Sequence, residues 1–339
     1  MKDLLLKLCR REDLTRDEAR IAFEQIMSGQ APDAQIGGLL IGLAAKGTTV
    51  EELVGAAEVM REKSVNVCVP PEIGNTLDTC GTGGDVRGTY NISTAAAIIA
   101  AAAGARVVKH GNRSASGNSG SADVLERLGV KIDLSGDQLI HCLRSAGICF
   151  CFARAHHPAM KFVAGARSAL GIPTIFNLLG PLTNPARASH QLLGVFAPEL
   201  TDRLAAVLRE LGSRRAWVVH ADDGLDEIST LGPTRVSELR DGHIRTFSLN
   251  PREFGISDAR LSDLQVSGPE ESAGAILHVL GGATGPMRDI AVLNAAGALV
   301  AAERFEQIQP ALEAAAAAID SGQAKNTLDL LVAASNSTI

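Results

Sequence analysis

Aromatic side chains are scarce in this 339-residue chain, which has one Trp, one Tyr and nine Phe, together 3% of the residues. A core of any size must therefore be aliphatic. Excess positive charge is also missing: 32 Lys and Arg stand against 38 Asp and Glu, a net charge of −6. That balance argues against a nucleic-acid surface, which rests on clustered cations. The six cysteines (Cys9, Cys68, Cys80, Cys142, Cys149, Cys151) contain no C-x-x-C pair. They suit buried thiols in a reducing compartment better than a disulfide framework or a metal site. The opening Met1–Arg11 mixes charges into a short Leu run and lacks a signal-peptide h-region, and the Ala-rich stretches at 95–103 and 314–318 are too short to span a bilayer. The expectation is a cytoplasmic protein without membrane contact.

What is present is length for two domains, with 46% hydrophobic and 21% charged residues. Residues 1 to about 65 read as helices. Leu4, Leu5 and Leu8 share a face, and Thr15-Arg16-Asp17-Glu18 and Thr49-Val50-Glu51-Glu52 are capping boxes. A Pro- and Gly-containing hinge follows at about 66–76. Beyond it, candidate strands at Leu77–Cys80, Ala105–Lys109, Ile148–Phe152, Leu192–Val195 and Ala216–His220 alternate with helical stretches such as Ser93–Ala103, Ala122–Leu128, Gly136–Ala146 and Thr201–Leu211. Such alternation indicates a mostly parallel sheet covered by helices. Asp241-Gly242 between Val236–Leu239 and Ile244–Phe247 predicts an antiparallel hairpin, and 291–335 returns to helix. The fold class is α/β: a small N-terminal helical domain (1–66, completed by helices within about 158–185) and a larger α/β domain (76–339) with a mostly parallel central sheet flanked by helices.

Four segments carry candidate chemistry. Asp78-Thr79-Cys80-Gly81-Thr82-Gly83-Gly84-Asp85 follows a predicted strand, and Asn91-Ile92-Ser93-Thr94 opens an Ala-rich helix. Together they are either a phosphate nest facing a helix N-terminus or a plain tight turn with its N-cap. The spacing matches neither the dinucleotide fingerprint nor a P-loop. Lys109-His110-Gly111-Asn112-Arg113-Ser114-Ala115-Ser116-Gly117-Asn118-Ser119-Gly120-Ser121 is a donor-rich loop after another strand: an anion cradle, or a polar surface loop. His156-His157-Pro158-Ala159-Met160-Lys161, Arg167 and the Phe176–Pro185 run form a third group, weak when taken singly. Asp226-Glu227 suits a hard cation that also meets substrate phosphates, or else a solvated acidic loop.

In this order and combination, Gly-Thr-Gly-Gly-Asp, Asn-Ile-Ser-Thr, Lys-His-Gly-Asn-Arg, His-His-Pro-Ala-Met-Lys and Asp-Glu-Ile-Ser resemble the anthranilate phosphoribosyltransferases of the nucleoside-phosphorylase-like fold, over nearly the whole chain. The resemblance implies a homodimer with the site in an interdomain cleft, and transfer of phosphoribose to anthranilate in tryptophan biosynthesis. It implies that phosphoribosyl pyrophosphate meets Gly81, Gly84, Asp85, Thr89, Asn91, Ile92, Ser93, Thr94, Lys109, His110, Gly111, Asn112, Arg113, Ser114, Ala115, Ser116, Gly117 and Ser121. Mg2+ would be served by Ser93, Asp226 and Glu227. Anthranilate would meet Gly81, Asn112, His157, Arg167 and Pro181, with His110 beside its path and Lys109, His110 and Arg167 as the catalytic set. Val86, Gly117-Asn118 and Pro173 depart from the usual pattern without removing an implied ligand. Two other readings predict different behaviour: a pyrimidine-nucleoside phosphorylase would act on thymidine with phosphate, and a non-catalytic relative would bind nucleic acid in a salt-dependent way.

Overall fold

The computed structural model describes residues 1–83, 87–113, 119–257 and 259–338. Four helices open the chain: α1 (Lys2–Cys9), α2 (Arg16–Met27), α3 (Asp33–Lys46) and α4 (Val50–Glu62). Both capping boxes form. The Thr15 and Thr49 side chains accept from the backbone N–H of Glu18 and Glu52, whose carboxylates reach back to the cap N–H groups. The connector carries a short 3-10 turn at Pro71–Ile73 and is pinned outside it. Val65 N–H donates to His156 O (2.8 Å) and Val67 N–H to Pro185 O (3.0 Å).

The α/β portion runs β1 (Leu77–Gly81), α5 (Ile92–Ala102), β2 (Val107–Gly111), α6 (Ser121–Arg127), α7 (Gly136–Ala146), β3 (Ile148–Phe152), α8 (Ala153–His156), α9 (Lys161–Leu170), α10 (Ile175–Leu179), β4 (His190–Gly194), α11 (Leu200–Glu210), β5 (Arg215–Ala221), β6 (Thr234–Arg240) and β7 (His243–Leu249). Four helices close it: α12 (Pro269–Leu280), α13 (Pro286–Ala301), α14 (Ile308–Asp320) and α15 (Gln323–Asn336). The sheet order is β3-β2-β1-β4-β5-β6-β7, parallel through β5 and antiparallel for β6 and β7. Asp241 and Gly242 both take positive φ (50° and 78°) in the β6–β7 turn, the conformation expected of an Asp-Gly hairpin. Strand positions agree with the sequence reading, although β2 starts later and ends at Gly111, and β4 starts earlier at His190.

From β1 the chain winds outward to β2 and β3, then returns to β4 on the other side. The β1/β4 junction is thus the point where the winding reverses, and the crevice beyond the carboxyl ends of such strands is where α/β sheets bind ligands. Two aliphatic cores support this crevice. One joins α5, α7 and α12–α15 to β2, β3 and one sheet face. The other runs from α1–α4 through α9, α10 and α11 to Leu193, Val195, Ala216 and Val218 on the opposite face.

The cysteine expectation holds only in part. Cys142, Cys149 and Cys151 are buried, but Cys9 and Cys68 are exposed and Cys80 is half-buried. Cys9 ends a short surface helix and Cys68 lies in the connector, so neither has a neighbouring layer to cover it. Among the described residues no helix is long and apolar enough to cross a membrane.

Candidate active site

Gly81 and Gly194 end β1 and β4 and are paired in register. The segment after β5 lies directly against both. A Cβ at position 194 would sit 1.6 Å from the Asp226 carbonyl oxygen, and one at position 81 would sit 2.7 Å from Asp226 Oδ2. Side chains at these strand ends would therefore drive the acidic loop out of the crevice. Gly83 (φ 67°) donates its N–H to Asp226 Oδ2 at 3.1 Å, and Thr82 N–H donates to Gly194 O at 2.9 Å. Behind the carboxylates, Asn294 of α13 grips Ile228: its Oδ1 accepts Ile228 N–H (2.9 Å) and its Nδ2 donates to Ile228 O (2.8 Å). Gly84, Asp85 and Val86 lie outside the described residues.

Lys109, near the end of β2, is buried. Its ammonium donates to Thr79 O and, at 3.2 Å, to Ser93 Oγ in the first turn of α5. Burial pulls its pKa below the usual lysine value, opposed by the charges of Asp78 and Glu227. Burial also holds the Tyr90 phenol well above its ordinary range, with Glu227 adding to the effect. Both effects tie Glu227 electrostatically to the α5 end of the site. Asn91, the α5 N-cap, accepts from Ser119 Oγ (2.7 Å) and Ser272 Oγ (2.8 Å), while Thr89 bridges Gln265. The Thr94 hydroxyl is buried with no hydrogen-bond partner among the described residues. Ile92 turns its side chain into the core, and its N–H donates to Tyr90 O at 2.7 Å.

At Gly111 a Cβ would lie 2.2 Å from Ser121 Oγ, which is how β2 and the start of α6 approach so closely. Asn112 is exposed. Arg113 is held by α6, with its guanidinium 2.8 Å from Asp123, 2.6 Å from Glu126 and over the Phe152 ring. Those carboxylates orient it, a constraint the sequence reading did not anticipate. Ser114, Ala115, Ser116, Gly117 and Asn118 lie outside the described residues.

The His110 ring meets His157 edge-on, with centroids 5.2 Å apart. Burial, with His157 and His156 nearby, lowers His110 to about 3, and burial with His156 lowers His157 to about 4. Both rings are therefore neutral at pH 7. Backbone groups of Gly180 and Thr183 bond one side of each ring, while both Nε2 atoms lack a partner among the described residues. Pro181 is buried, and its carbonyl accepts from Gln191 Nε2 (2.8 Å). Arg167 lies on α9 with its guanidinium 5.3 Å over the Phe176 ring, half-buried, with no carboxylate in ion-pairing reach among the described residues. Burial lowers its pKa.

The structure thus gathers Gly81, Ser93, Lys109 and Asp226 at the sheet crevice and joins His110 to His157. Sequence reasoning gave no role to Asp78, Thr79, Asn184, Gln191 or Asn294. The available signals were polar residues in apolar settings: Asp78 inside a predicted strand and Asn294 amid alanines. Among the described residues no cluster of three or more His, Cys, Asp or Glu forms a protein-only metal cage. Asp226, Glu227 and Ser93 offer only oxygen, the donor type for a hard cation that fills its remaining positions with water and phosphate.

Two family models match the chain: a glycosyl transferase helical-bundle domain over residues 2–64 and a glycosyl transferase a/b domain over residues 73–325. The chain is 51% identical to an anthranilate phosphoribosyltransferase of Methylobacterium nodulans over 335 residues, covering 99% of this chain and 98% of that protein. Among solved structures, anthranilate phosphoribosyltransferase from Thermus thermophilus is similar at a TM-score of 0.91 and 38% identity, covering 98% and 99% of the two chains. The enzyme from Saccharomyces cerevisiae in complex with phosphoribosyl pyrophosphate and Mg is similar at a TM-score of 0.89 and 28% identity, covering 100% and 99%.

Proposed function

The chain belongs to the anthranilate phosphoribosyltransferases, and we infer from that how its residues divide the work of the reaction. The enzyme transfers the 5-phosphoribosyl group of phosphoribosyl pyrophosphate to the amine of anthranilate, releasing pyrophosphate, in tryptophan biosynthesis. One observation carries the assignment of roles: the buried Lys109 ammonium, the Ser93 hydroxyl and the Asp226 loop converge where the sheet winding reverses.

Cleavage of the bond from ribose C1 to pyrophosphate leaves positive charge on the sugar and adds negative charge to the departing oxygens. Preorganised donors aimed at those oxygens stabilise that state more than the ground state. Lys109 supplies a fixed cation, and the N-terminal end of α5 with its Ser93 hydroxyl supplies a dipole, while Gly81 and Gly84 with Asn91, Ile92 and Thr94 are assigned to the same grip. Asp85, Thr89, the stretch from His110 to Gly117 and Ser121 complete the grip on the phosphoribosyl group. Asp226, Glu227 and Ser93 would hold Mg2+, which supplies Lewis acidity and a template for the diphosphate when bound. Arg167 would take the anthranilate carboxylate in a bidentate pair, a geometry Lys does not reproduce. Gly81, Asn112, His157 and Pro181 line the acceptor position. The aromatic amine attacks as the free base, so the neutral His110 and His157 need not activate it. They shape a cavity that adds no second cation to compete with Arg167. Alignment of amine and C1 contributes on the order of 7–11 kcal/mol.

Residues 1–66, completed by α9 and α10, are taken as a helical domain on the α/β domain, with the 66–76 connector between them. Exposed Leu6, Ile21 and Ile41 lie on the helical unit, whose exposed side we assign to a homodimer interface, and we place the enzyme in the cytoplasm. The deciding assay mixes protein, anthranilate, phosphoribosyl pyrophosphate and Mg2+ and follows loss of anthranilate fluorescence. Asp226→Asn with Glu227→Gln is expected to abolish nearly all turnover and the Mg2+-dependent rise in melting temperature with pyrophosphate. Retained turnover at ordinary Mg2+ would reject the carboxylate assignment.

A further inference from the structure

Asp78 is fully buried in β1 and is assigned no contact with either substrate. Its Oδ1 accepts the His110 backbone N–H at 2.9 Å and its Oδ2 accepts Asn184 Nδ2 at 2.8 Å, with the Cys80 thiol 3.6 Å from the same oxygen. Asn184 comes 106 positions later in the chain and is itself buried. Its Nδ2 also donates to Val108 O (2.7 Å), and its Oδ1 accepts Ala186 N–H (2.8 Å). These bonds fasten three segments: the middle of β1, the end of β2 that bears Lys109 and His110, and the 180–186 segment leading into β4. That last segment carries Gly180 and Thr183, whose backbones bond the His110 and His157 rings.

A buried carboxylate is tolerated only with its oxygens satisfied, and removing one partner leaves the charge uncompensated. This cost is kept where it fixes one geometry. We propose that Asp78 and Asn184 are a positioning pair, setting the register between the Lys109–His110 strand end and the 180–184 segment. The pair thereby sets the spacing between the diphosphate grip and the acceptor cavity. Lys109 is anchored independently by Thr79 and Ser93. Binding of the diphosphate substrate should therefore be indifferent to Asn184, while capture and alignment of the acceptor depend on it; Asp78 also supports the charge of Lys109, so its replacement reaches both substrates.

The proposal rests on the transferase reading, and the unmodified enzyme tests that first: no consumption of anthranilate would overturn the reading itself. For the pair, Asn184→Ala and Asp78→Asn are each expected to lower kcat/KM for anthranilate by ~10–100-fold. In Asn184→Ala the calorimetric Kd for phosphoribosyl pyrophosphate should stay within about twofold of the parent, a shift below 0.5 kcal/mol. The swapped variant Asp78→Asn/Asn184→Asp again faces a donor with an acceptor and keeps the bonds to His110 and Ala186, but it loses the Cys80 thiol donation and sets a carboxylate oxygen against Val108 O. It is expected to recover at least about tenfold over either single variant, the coupling expected of residues in direct contact. A folded Asn184→Ala enzyme with parental anthranilate kinetics would overturn the pair. So would equal losses toward both substrates in Asn184→Ala, or a swap no better than the worse single variant. If the single variants do not fold, a folded swap decides alone: near-parental anthranilate kcat/KM supports the pair, and a loss of about a hundredfold rejects it.

Discussion

Arg167 illustrates how much a single side chain can decide. Its guanidinium is packed on Phe176 and half-buried, without a carboxylate partner among the described residues. Arg167→Ala is expected to raise KM for anthranilate by at least about tenfold, the loss of a charge-assisted pair, while KM for phosphoribosyl pyrophosphate changes little. Equal changes in steady-state assays would remove Arg167 from the acceptor position. The two histidines give a pH expectation. Their folded pKa values, about 3 and about 4, lie below the ordinary 6.5, so the unfolded chain binds protons first as pH falls. Their contribution is complete above pH 6.5 and declines as pH falls to about 4 for His157 and about 3 for His110. At pH 5 it amounts to a loss of roughly 2 kcal/mol per ring. Urea unfolding at pH 7 and pH 5 should show this loss, and His157→Asn should diminish it. An unchanged difference in that variant would contradict the assigned cause. Residue identity alone did not disclose this neutrality, because it arises from burial that only the fold creates.

Elements were more legible than contacts. The capping boxes at Thr15 and Thr49 and the Asp-Gly hairpin are local chemistry, written within four residues, and all form as read. The engagement of Arg113 by Asp123 and Glu126 was not foreseen, since it depends on how α6 lies beside the end of β2. The role of α13 was hidden for the same reason. Asn294 sits in an alanine-rich helix far along the chain, yet it saturates both backbone groups of the residue after Glu227. Asn294→Leu would leave that N–H and C=O buried and unpaired, at a cost of roughly 2 kcal/mol or more. Calorimetry should show the destabilisation together with a higher Mg2+ requirement for turnover. A stability loss with an unaltered Mg2+ requirement would make Asn294 a scaffold residue only.

For the whole molecule, strand–helix alternation announced a parallel sheet, and the motifs fell at its strand ends as expected. The strand order, and with it the reversal between β1 and β4, was not readable, because order depends on long-range pairing rather than local pattern. The cores carry a further consequence. The apolar filling of α1–α4 continues without a break into α11 and the underside of β4 and β5. The segments matched by the two family models are therefore not detachable modules. A chain beginning at residue 73 would strip α1–α4 from this shared core and bare the α11 face that α4 packs against, and should emerge from expression as an aggregate unless residues 1–64 are supplied in trans.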